Sequence, residues 1–203
     1  MLNWLKTSKS QIHCPRRRSL SSPAIATLGL LVLVAVQLHW QGRVWWCSCG
    51  RPDLWWGDIH SGHCSQHLLD PYSFTHVSHG LLLFAALTWL FPRLPLTWRF
   101  VLALAVEALW EIVENTQFVI ERYRTATAAL GYEGDTIANS LGDIVCCGIG
   151  VVLARFLGLR RSIILFVLIE LALLVSIRDN LLLNIVMLFC PINAIKTWQM
   201  AGG

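Results

Sequence analysis

The stretch Val101–Ile120, VLALAVEALWEIVENTQFVI, decides the fold class of this chain. It is apolar enough for a buried helix, yet it contains three carboxylates, Glu107, Glu111 and Glu114, at positions i, i+4 and i+7. This spacing places all three side chains on one face of a helix. Because a charge at bilayer depth costs at least about 2.5–3.5 kcal/mol, such a stripe needs partners, protons or water inside the fold.

The composition of the whole chain indicates an integral membrane protein. Its 203 residues are 55% hydrophobic and only 14% charged, with a mean hydropathy of +0.56, which excludes an ordinary soluble domain. Several apolar runs approach the twenty residues that cross a bilayer as a helix, and they are continuous rather than alternating. We therefore expect an all-α fold, a polytopic membrane bundle of five or six transmembrane helices in a single membrane domain, residues 1–203.

The positive charges predict the orientation of this bundle. Residues 1–22 form a basic tail, which the positive-inside rule places in the cytoplasm. The run 23–40 is expected to be a retained signal-anchor, because no small-residue cleavage site precedes the Trp-rich stretch. With six spans and both ends cytoplasmic, eleven of the sixteen Lys and Arg residues fall inside, and loop 41–71 is periplasmic. The further spans are expected at 73–91, 101–121, from 135 to the arginines at 155–161, at 162–177 and at 181–195, the last as a sixth span or a re-entrant segment.

The loop 41–71 concentrates residues that bind soft metals. Three cysteines and three histidines lie within it: Cys47, Cys49, Cys64, His60, His63 and His67. A soft metal site is one interpretation. The other is a disulfide from Cys64 to Cys47 or Cys49, since the loop should face an oxidising compartment and a bond between Cys47 and Cys49 would be strained. The spacing matches no standard zinc motif, so the pattern favours a disulfide or free thiols.

Two other spans carry polar stripes that could partner the three glutamates. These stripes are His76 and His79 on the second span and Asp135, Asn139 and Asp143 on the fourth. At a rise of ~1.5 Å per residue, His79, Glu114 and Asp143 lie about 9–12 Å below the outer ends of their helices. We therefore expect one outward-facing cavity to contain the stripes. Glu107, at roughly 20 Å, is the outlier, either at the cavity floor or alone and protonated.

Histidines and carboxylates on facing helices predict a divalent metal ion as cofactor. Such an ion would polarise a phosphoryl or carbonyl oxygen or activate a bound water. Without a metal, the carboxylates would share protons, which suits a proton relay, or they would only hold the bundle together. The expected metal ligands are His76, His79, Glu111, Glu114 and Asp143, and the expected catalytic residues are Glu111, Glu114, Asp135 and Asn139.

Four motifs give the chain a family resemblance. They are WWC at 45–47, DPYSFTH at 70–76, EALWE at 107–111 and GDTIANSLGD at 134–143. Over residues 40–199 the sequence resembles an uncharacterised family of alphaproteobacterial inner-membrane proteins, which implies a multi-pass protein of the cell inner membrane. The order His79, Glu111, then Asp135-x-x-x-Asn139-x-x-Gly142 is also similar to the VanZ-like membrane family, which is linked to glycopeptide resistance.

These features lead to three functional hypotheses. The first is a metal-assisted membrane enzyme that acts on a lipid-linked or envelope substrate. The second is a transporter or metal-handling protein, for which Glu107 and Glu170 are the only candidates for a path inward. The third is an assembly factor without catalysis. Membrane lipids are the expected partners in all three, and nucleic acid is not expected.

Overall fold

The structure of the protein is a computed structural model that describes residues 22–129 and 131–201. The predicted cytoplasmic tail therefore lies outside the described residues, apart from Ser22. The described ranges are helical, with one isolated β-bridge between Trp55 and Leu69, so the predicted all-α class is confirmed. The helices are α1 Ser22–Trp40, α2 Ser73–Leu90, α3 Leu96–Glu114, α4 Gln117–Ala126, α5 Ile137–Ile177, α6 Leu181–Phe189 and α7 Asn193–Met200.

Two of the described helices, α1 and α2, are long and apolar enough to cross a membrane. The outer face of α1 is strongly apolar and open, since Leu28, Val32 and Leu33 each keep more than half of their surface exposed. Helix α3 is as long as α1, but it contains Arg99 in addition to its three glutamates. Membrane association thus rests on α1 and α2, while the number of spans stays a prediction.

Helix α5 folds back on itself at Gly158. It has 41 residues, and Gly158 interrupts it with φ 72° and ψ 169°, a conformation that glycine adopts without strain. A straight helix of this length would separate its ends by about 60 Å. Both ends nevertheless bond to the α1–α2 connection: Ile137 N donates to Val44 O at 2.9 Å, and Tyr72 Oη donates to Asp179 Oδ2 at 3.1 Å. The two arms correspond to the fourth and fifth predicted segments.

The backbones of α2 and α5 are in direct contact, which fixes the relative position of the site residues on these two helices. A Cβ atom on Gly80 would lie 2.1 Å from Cys147 O, and one on Gly150 would lie 2.2 Å from Val77 O. Small residues let the two helices approach closely at Gly80 and Gly150. Gly148 does not take part in this approach, because an added Cβ there would make ordinary contacts of 3.4 Å or more.

The predicted third span, 101–121, is not one continuous helix. Helix α3 ends at Glu114, and α4 begins at Gln117. Between them Thr116 is extended, with φ −74° and ψ 147°, and its hydroxyl accepts a hydrogen bond from Val119 N at 3.4 Å. The side chain of Asn115 binds Asp135 rather than continuing the helix surface. These local side-chain bonds compete with the helix and break it.

The fourth predicted span, expected from residue 135, begins two residues later. Helix α5 begins at Ile137, and its cap is Thr136, whose hydroxyl accepts a hydrogen bond from Asn139 N at 3.2 Å. The carboxylate of Asp135 instead accepts hydrogen bonds from Asn115 and Tyr132. Threonine is also a favoured N-cap residue, which frees the aspartate for these side-chain contacts.

The last apolar segment, expected as a sixth span or a re-entrant piece, forms two short helices rather than one long one. Helix α6 has nine residues, a length of about 14 Å that covers less than half of a bilayer core. Helix α7 follows it and returns to α4, where Lys196 Nζ donates to Thr125 O at 2.7 Å. Arg122 on α4 likewise donates from Nε to Leu188 O at 2.7 Å. The C-terminal helices therefore lie at the α4 end of the bundle, while five or six spans and the cytoplasmic location of both ends stay predictions.

Candidate metal centre and cavity

Glu107 is the residue around which the two histidines of α2 are arranged. His76 Nδ1 lies 2.5 Å from Glu107 Oε1, and His79 Nδ1 lies 3.0 Å from each oxygen of the same carboxylate. Glu107 is only 1% exposed, so it does not sit alone, as one prediction allowed. A neutral histidine that donates its Nδ1–H to a carboxylate keeps a free lone pair on Nε2, which is the usual arrangement of a metal-binding histidine.

His76 also lies beside carboxylates from two further positions. Its Nδ1 is 3.4 Å from Glu111 Oε1, and its Nε2 is 3.7 Å from Asp143 Oδ2. Asp143 is fixed in turn by Ser73, whose hydroxyl donates to Asp143 Oδ1 at 2.7 Å. The polar stripes of α2, α3 and α5 therefore meet at His76, as their spacing predicts.

Glu111 is the least satisfied group of this cluster. Its side chain is fully buried, and neither carboxylate oxygen has a hydrogen-bond partner among the described residues. Burial of a carboxylate without a partner is strongly unfavourable, so Glu111 requires a proton or a cation. Ligand atoms of His76, Glu111 and Glu114 lie within 4.8 Å of one another, close enough to share one metal ion. A second group, His76, His79 and Glu107, meets the same criterion.

The loop before α2 is attached to the cluster through Asp70. Its Oδ2 accepts hydrogen bonds from Ser65 N at 2.9 Å and Ser65 Oγ at 3.2 Å, and its Oδ1 accepts from Tyr72 N at 2.7 Å. Asp70 N donates to Ser73 Oγ at 3.1 Å, the hydroxyl that binds Asp143. Burial raises the pKa of Asp70, although the backbone hydrogen bonds from Tyr72 and Ser65 partly offset this.

Asp135 lies where α3, α4 and α5 meet. Asn115 Nδ2 donates to Asp135 Oδ2 at 2.9 Å, and Tyr132 Oη donates to Asp135 Oδ1 at 2.9 Å. Burial raises the pKa of Asp135 above that of an ordinary aspartate, although these two bonds favour its charged form. A carboxyl group with a raised pKa binds a proton more readily than an ordinary aspartate, as a general acid or base requires.

A cavity of about 590 Å³ opens beside this cluster, a volume typical of small-molecule sites. Five predicted site residues lie on its polar wall: His76, His79, Glu114, Asp135 and Asp143. The lining that comes from α6 is mainly apolar, with Leu181, Ile185, Leu188 and Phe189. The cavity lining therefore combines charged and apolar side chains.

Two predicted site residues do not line this cavity. Glu111 lies next to His76 but outside the cavity lining. Asn139 is 1% exposed, and neither atom of its amide has a hydrogen-bond partner among the described residues. The sequence reasoning also missed Asn115, which follows Glu111 by four positions and so continues the same helical stripe. That spacing was the signal that could have found it.

Of the alternatives for Cys64, a disulfide or a free thiol, the structure has the free thiol. All six cysteines in the described ranges are free thiols, and Cys64 Sγ lies 3.9 Å from Asp70 Oδ2. Cys47 and Cys49 instead face His63 and His67, at 3.2 Å and 3.8 Å. His60 and Cys64 therefore do not belong to the group that these four residues form.

A helical protein with two apolar helices and a buried histidine–carboxylate cluster is the class that the fold and the site define. Residues 38–201 match the family described as "Protein of unknown function (DUF2585)", and the chain belongs to that family. The predicted resemblance to an uncharacterised alphaproteobacterial family is thereby confirmed, while the similarity to the VanZ-like family stays a prediction.

The relatives of the chain share nearly its whole length. A UPF0314 protein of Paracoccus denitrificans is 44% identical over 181 residues, which cover 89% of this chain and 94% of the relative. UPF0314 proteins of Brucella anthropi and Sinorhizobium fredii are 38% and 41% identical, and the alignments cover 95% and 91% of this chain and 98% and 93% of those relatives. No solved structure gives a significant match.

Proposed function

We propose that this protein is a membrane-embedded enzyme that uses a divalent metal ion bound by His76, Glu111 and Glu114. The observation that carries the proposal is Glu111, a fully buried carboxylate whose two oxygens have no hydrogen-bond partner among the described residues. A metal ion would supply the missing positive charge. The three ligand atoms, which lie within 4.8 Å of one another, would all bind this ion.

The groups around these ligands support metal binding rather than simple structural bonding. Glu107 accepts hydrogen bonds from both histidines, and such a carboxylate orients the ring of a metal-binding histidine and raises its basicity. Asp143 lies 3.7 Å from His76 Nε2 and is held by Ser73. His79 and Asp143 are therefore the residues best placed to complete the coordination.

The chemistry that this site supports is the activation of a water or the polarisation of a phosphoryl or carbonyl oxygen. The metal would lie at the cavity wall through His76 and Glu114. Asp135 also lines the cavity, and burial raises its pKa, so it is the proposed general acid and base. Asn139, in the first turn of α5, is proposed to position these groups through its unpaired amide.

The walls of the cavity suit a substrate that has a polar head and an apolar chain. Its polar wall contains His76, Glu114 and Asp143, whereas α6 contributes Leu181 and Phe189. The exposed apolar surfaces of α1 and α2 support a location in a membrane, proposed to be the bacterial inner membrane. A lipid-linked substrate could then enter the cavity from the bilayer.

The transporter hypothesis has less support from the packing. A transporter needs a polar path inward from the cluster, but the next buried layer consists of Leu87, Ala103 and Val151. Glu170, the other acidic candidate, accepts a hydrogen bond from Leu182 N at 3.1 Å and so belongs to the α5–α6 junction. The enzyme is therefore the function that the geometry supports best.

Metal analysis of the variant Glu111→Gln tests this proposal. The purified protein in detergent should contain a divalent metal, and Glu111→Gln should lose one equivalent while its circular dichroism stays unchanged, because the amide fills the same space without charge. Glu121→Gln is the matched control, since Glu121 is exposed on α4. If Glu111→Gln keeps the full metal content of the wild-type protein, the proposal is wrong.

The variant Glu107→Gln tests whether Glu107 binds the metal itself or orients the histidines that bind it. Glu107 contacts both histidines, so its loss should weaken metal binding by roughly 10–100-fold without abolishing it. A metal titration followed by calorimetry would measure this change. An effect as large as that of Glu111→Gln would place Glu107 among the ligands instead.

A further inference from the structure

The loop between α1 and α2 brings two cysteines and two histidines together, away from the site at His76. Ligand atoms of Cys47, Cys49, His63 and His67 all lie within 4.8 Å of one another. Cys47 Sγ is 3.2 Å from His63 Nδ1, and Cys49 Sγ is 3.8 Å from His67 Nε2. Ligands of a tetrahedral zinc ion with ordinary bond lengths lie about 3.3–3.8 Å apart, so small side-chain movements would complete such a site.

His67 is oriented as a metal ligand requires. Its Nδ1 lies 2.7 Å from Asp53 O, and because a carbonyl oxygen can only accept, Nδ1 must carry the proton. The lone pair is then on Nε2, the atom that faces Cys49. A metal-bound histidine usually donates its other ring N–H to a carbonyl or carboxylate in this way.

Aromatic packing and backbone bonds hold the other members of the group. The ring of Trp56 stacks on His67 at 5.1 Å between centroids and contacts His63 at 4.7 Å. Cys49 N donates to Cys47 Sγ at 3.4 Å, a bond that fixes the position of this sulfur. His67 and Cys47 are only 1% and 5% exposed, so the group is largely preformed.

The same geometry argues against a disulfide in this loop. Cys47 and Cys49 are separated by one residue, and a bond between them would be strained. Cys64 faces Asp70 rather than either of these thiols. The two thiols that face the histidines therefore have no unstrained partner for oxidation among the described cysteines.

We propose that Cys47, Cys49, His63 and His67 bind a structural Zn²⁺ ion. Two thiolates and two imidazoles are the donor set of a closed, four-coordinate zinc site, which leaves no position for a substrate. The spacing of His63 and His67 is the usual one for paired zinc histidines, whereas the Cys-x-Cys pair is shorter than the common form.

The ion would stabilise the outer wall of the cavity. The backbone just before the first cysteine bonds to the start of α5, where Ile137 N donates to Val44 O at 2.9 Å and Ala138 N to Trp45 O at 3.2 Å. Ser65, between the two histidines, accepts a hydrogen bond from Thr136 N at 3.1 Å and lines the cavity. Zinc at this position would therefore join the loop to the helix that carries Asp143.

Zinc content and cobalt spectra test the proposal. The wild-type protein should retain one zinc ion per chain at the loop site. The variants Cys49→Ser and His63→Ala should each lose this ion. His60→Ala is the matched control, because His60 is exposed in the same loop and outside the group. Glu111→Gln should keep the loop zinc, so the two proposed sites can fail independently.

Reconstitution of the wild-type protein with Co²⁺ gives a readout that does not depend on the folding of a variant. Tetrahedral Co²⁺ bound to thiolates should show intense visible bands and a near-ultraviolet charge-transfer band, and added Zn²⁺ should remove both. The absence of the charge-transfer band, or equal loss of zinc in His60→Ala, would overturn the proposal. So would a zinc content that does not change in Cys49→Ser and His63→Ala.

Discussion

Asn115 and Asp135 bind each other twice. Asn115 Nδ2 donates to Asp135 Oδ2 at 2.9 Å, and Asp135 N donates to Asn115 Oδ1 at 2.7 Å. Both residues are buried. The pair joins the residue after α3 to the residue before the cap of α5, so it fixes the distance between the helices that carry Glu111 and Asp143.

This pair predicts a large cost for Asn115→Ala. The substitution leaves a buried backbone N–H and a carboxylate oxygen of Asp135 without one partner each, and each such loss costs about 1–3 kcal/mol. Thermal unfolding in detergent should show a clearly lower midpoint for this variant. Gln117→Ala, at an exposed position two residues later, should leave the midpoint unchanged. Equal midpoints for the two variants would show that the pair contributes little.

The contact between α2 and α5 predicts opposite outcomes for two glycines of one helix. Gly150→Ala would place a Cβ 2.2 Å from Val77 O, so the helices must separate, at a typical cost of about 1–3 kcal/mol. Gly148→Ala meets only side-chain atoms at 3.4 Å or more and should be neutral or slightly stabilising, because alanine favours a helix. Unfolding measurements on both variants check this order, and a reversed order would contradict the described crossing.

The raised pKa of Asp179 predicts that the free energy of unfolding decreases as the pH rises. Burial raises its pKa from 3.8 to about 6, although hydrogen bonds from Asn180, Tyr72 and Gln199 partly lower it. The folded protein therefore binds more protons than the unfolded chain between about pH 4 and pH 6. The stabilisation is complete below pH 4 and is lost as the pH passes 6, a change of about 3 kcal/mol.

The variant Asp179→Asn isolates this contribution. Between pH 4 and pH 7 the wild-type protein should lose stability relative to Asp179→Asn, as measured by thermal unfolding at several pH values. Asp58→Asn changes an exposed aspartate and should follow the wild-type curve. Parallel curves for the wild-type protein and Asp179→Asn would exclude a raised pKa at this position.

The position of α7 predicts the side of the membrane on which the chain ends. Lys196 binds Thr125 O on α4, and Arg178 Nη1 donates to Trp198 O at 3.0 Å. A topology reporter fused after residue 203 should therefore give the same result as one inserted near Asp53. A reporter after Arg99 should give the opposite result. If the C-terminal fusion agrees with the Arg99 fusion instead, α6 and α7 cross the membrane together.

The helical stripes were predictable because they depend on spacing alone. Each of these stripes lies on the polar face of an apolar helix. A buried polar face is stabilised only by other polar groups, so the faces that carry His76, Glu107, Glu111 and Asp143 meet. Glu107 was misjudged because depth along a helix does not show which side chains reach across to it. Both histidines in fact bind it.

The breaks in the helices were not predictable from hydrophobicity. Asn115–Thr116 and Gly158 interrupt segments whose apolar pattern continues, and the causes are a side-chain bond to Asp135 and a positive φ angle. The cysteine and histidine group was only partly visible, because His63 and His67 have the spacing of paired ligands while the approach of Cys47 and Cys49 depends on the path of the loop.

The segments that cover the cavity are held by cations bonded to main-chain oxygens: Arg122 to Leu188, Lys196 to Thr125 and Arg178 to Trp198. A main-chain oxygen is present whatever side chain its residue carries. Saturation mutagenesis should therefore show a difference within each pair. Substitutions of the basic residue should be poorly tolerated, whereas substitutions of its partner residue should be well tolerated. The apolar side chains of these segments can therefore change during evolution, and with them the range of molecules that the cavity admits. The bonds that attach the segments to the bundle stay the same.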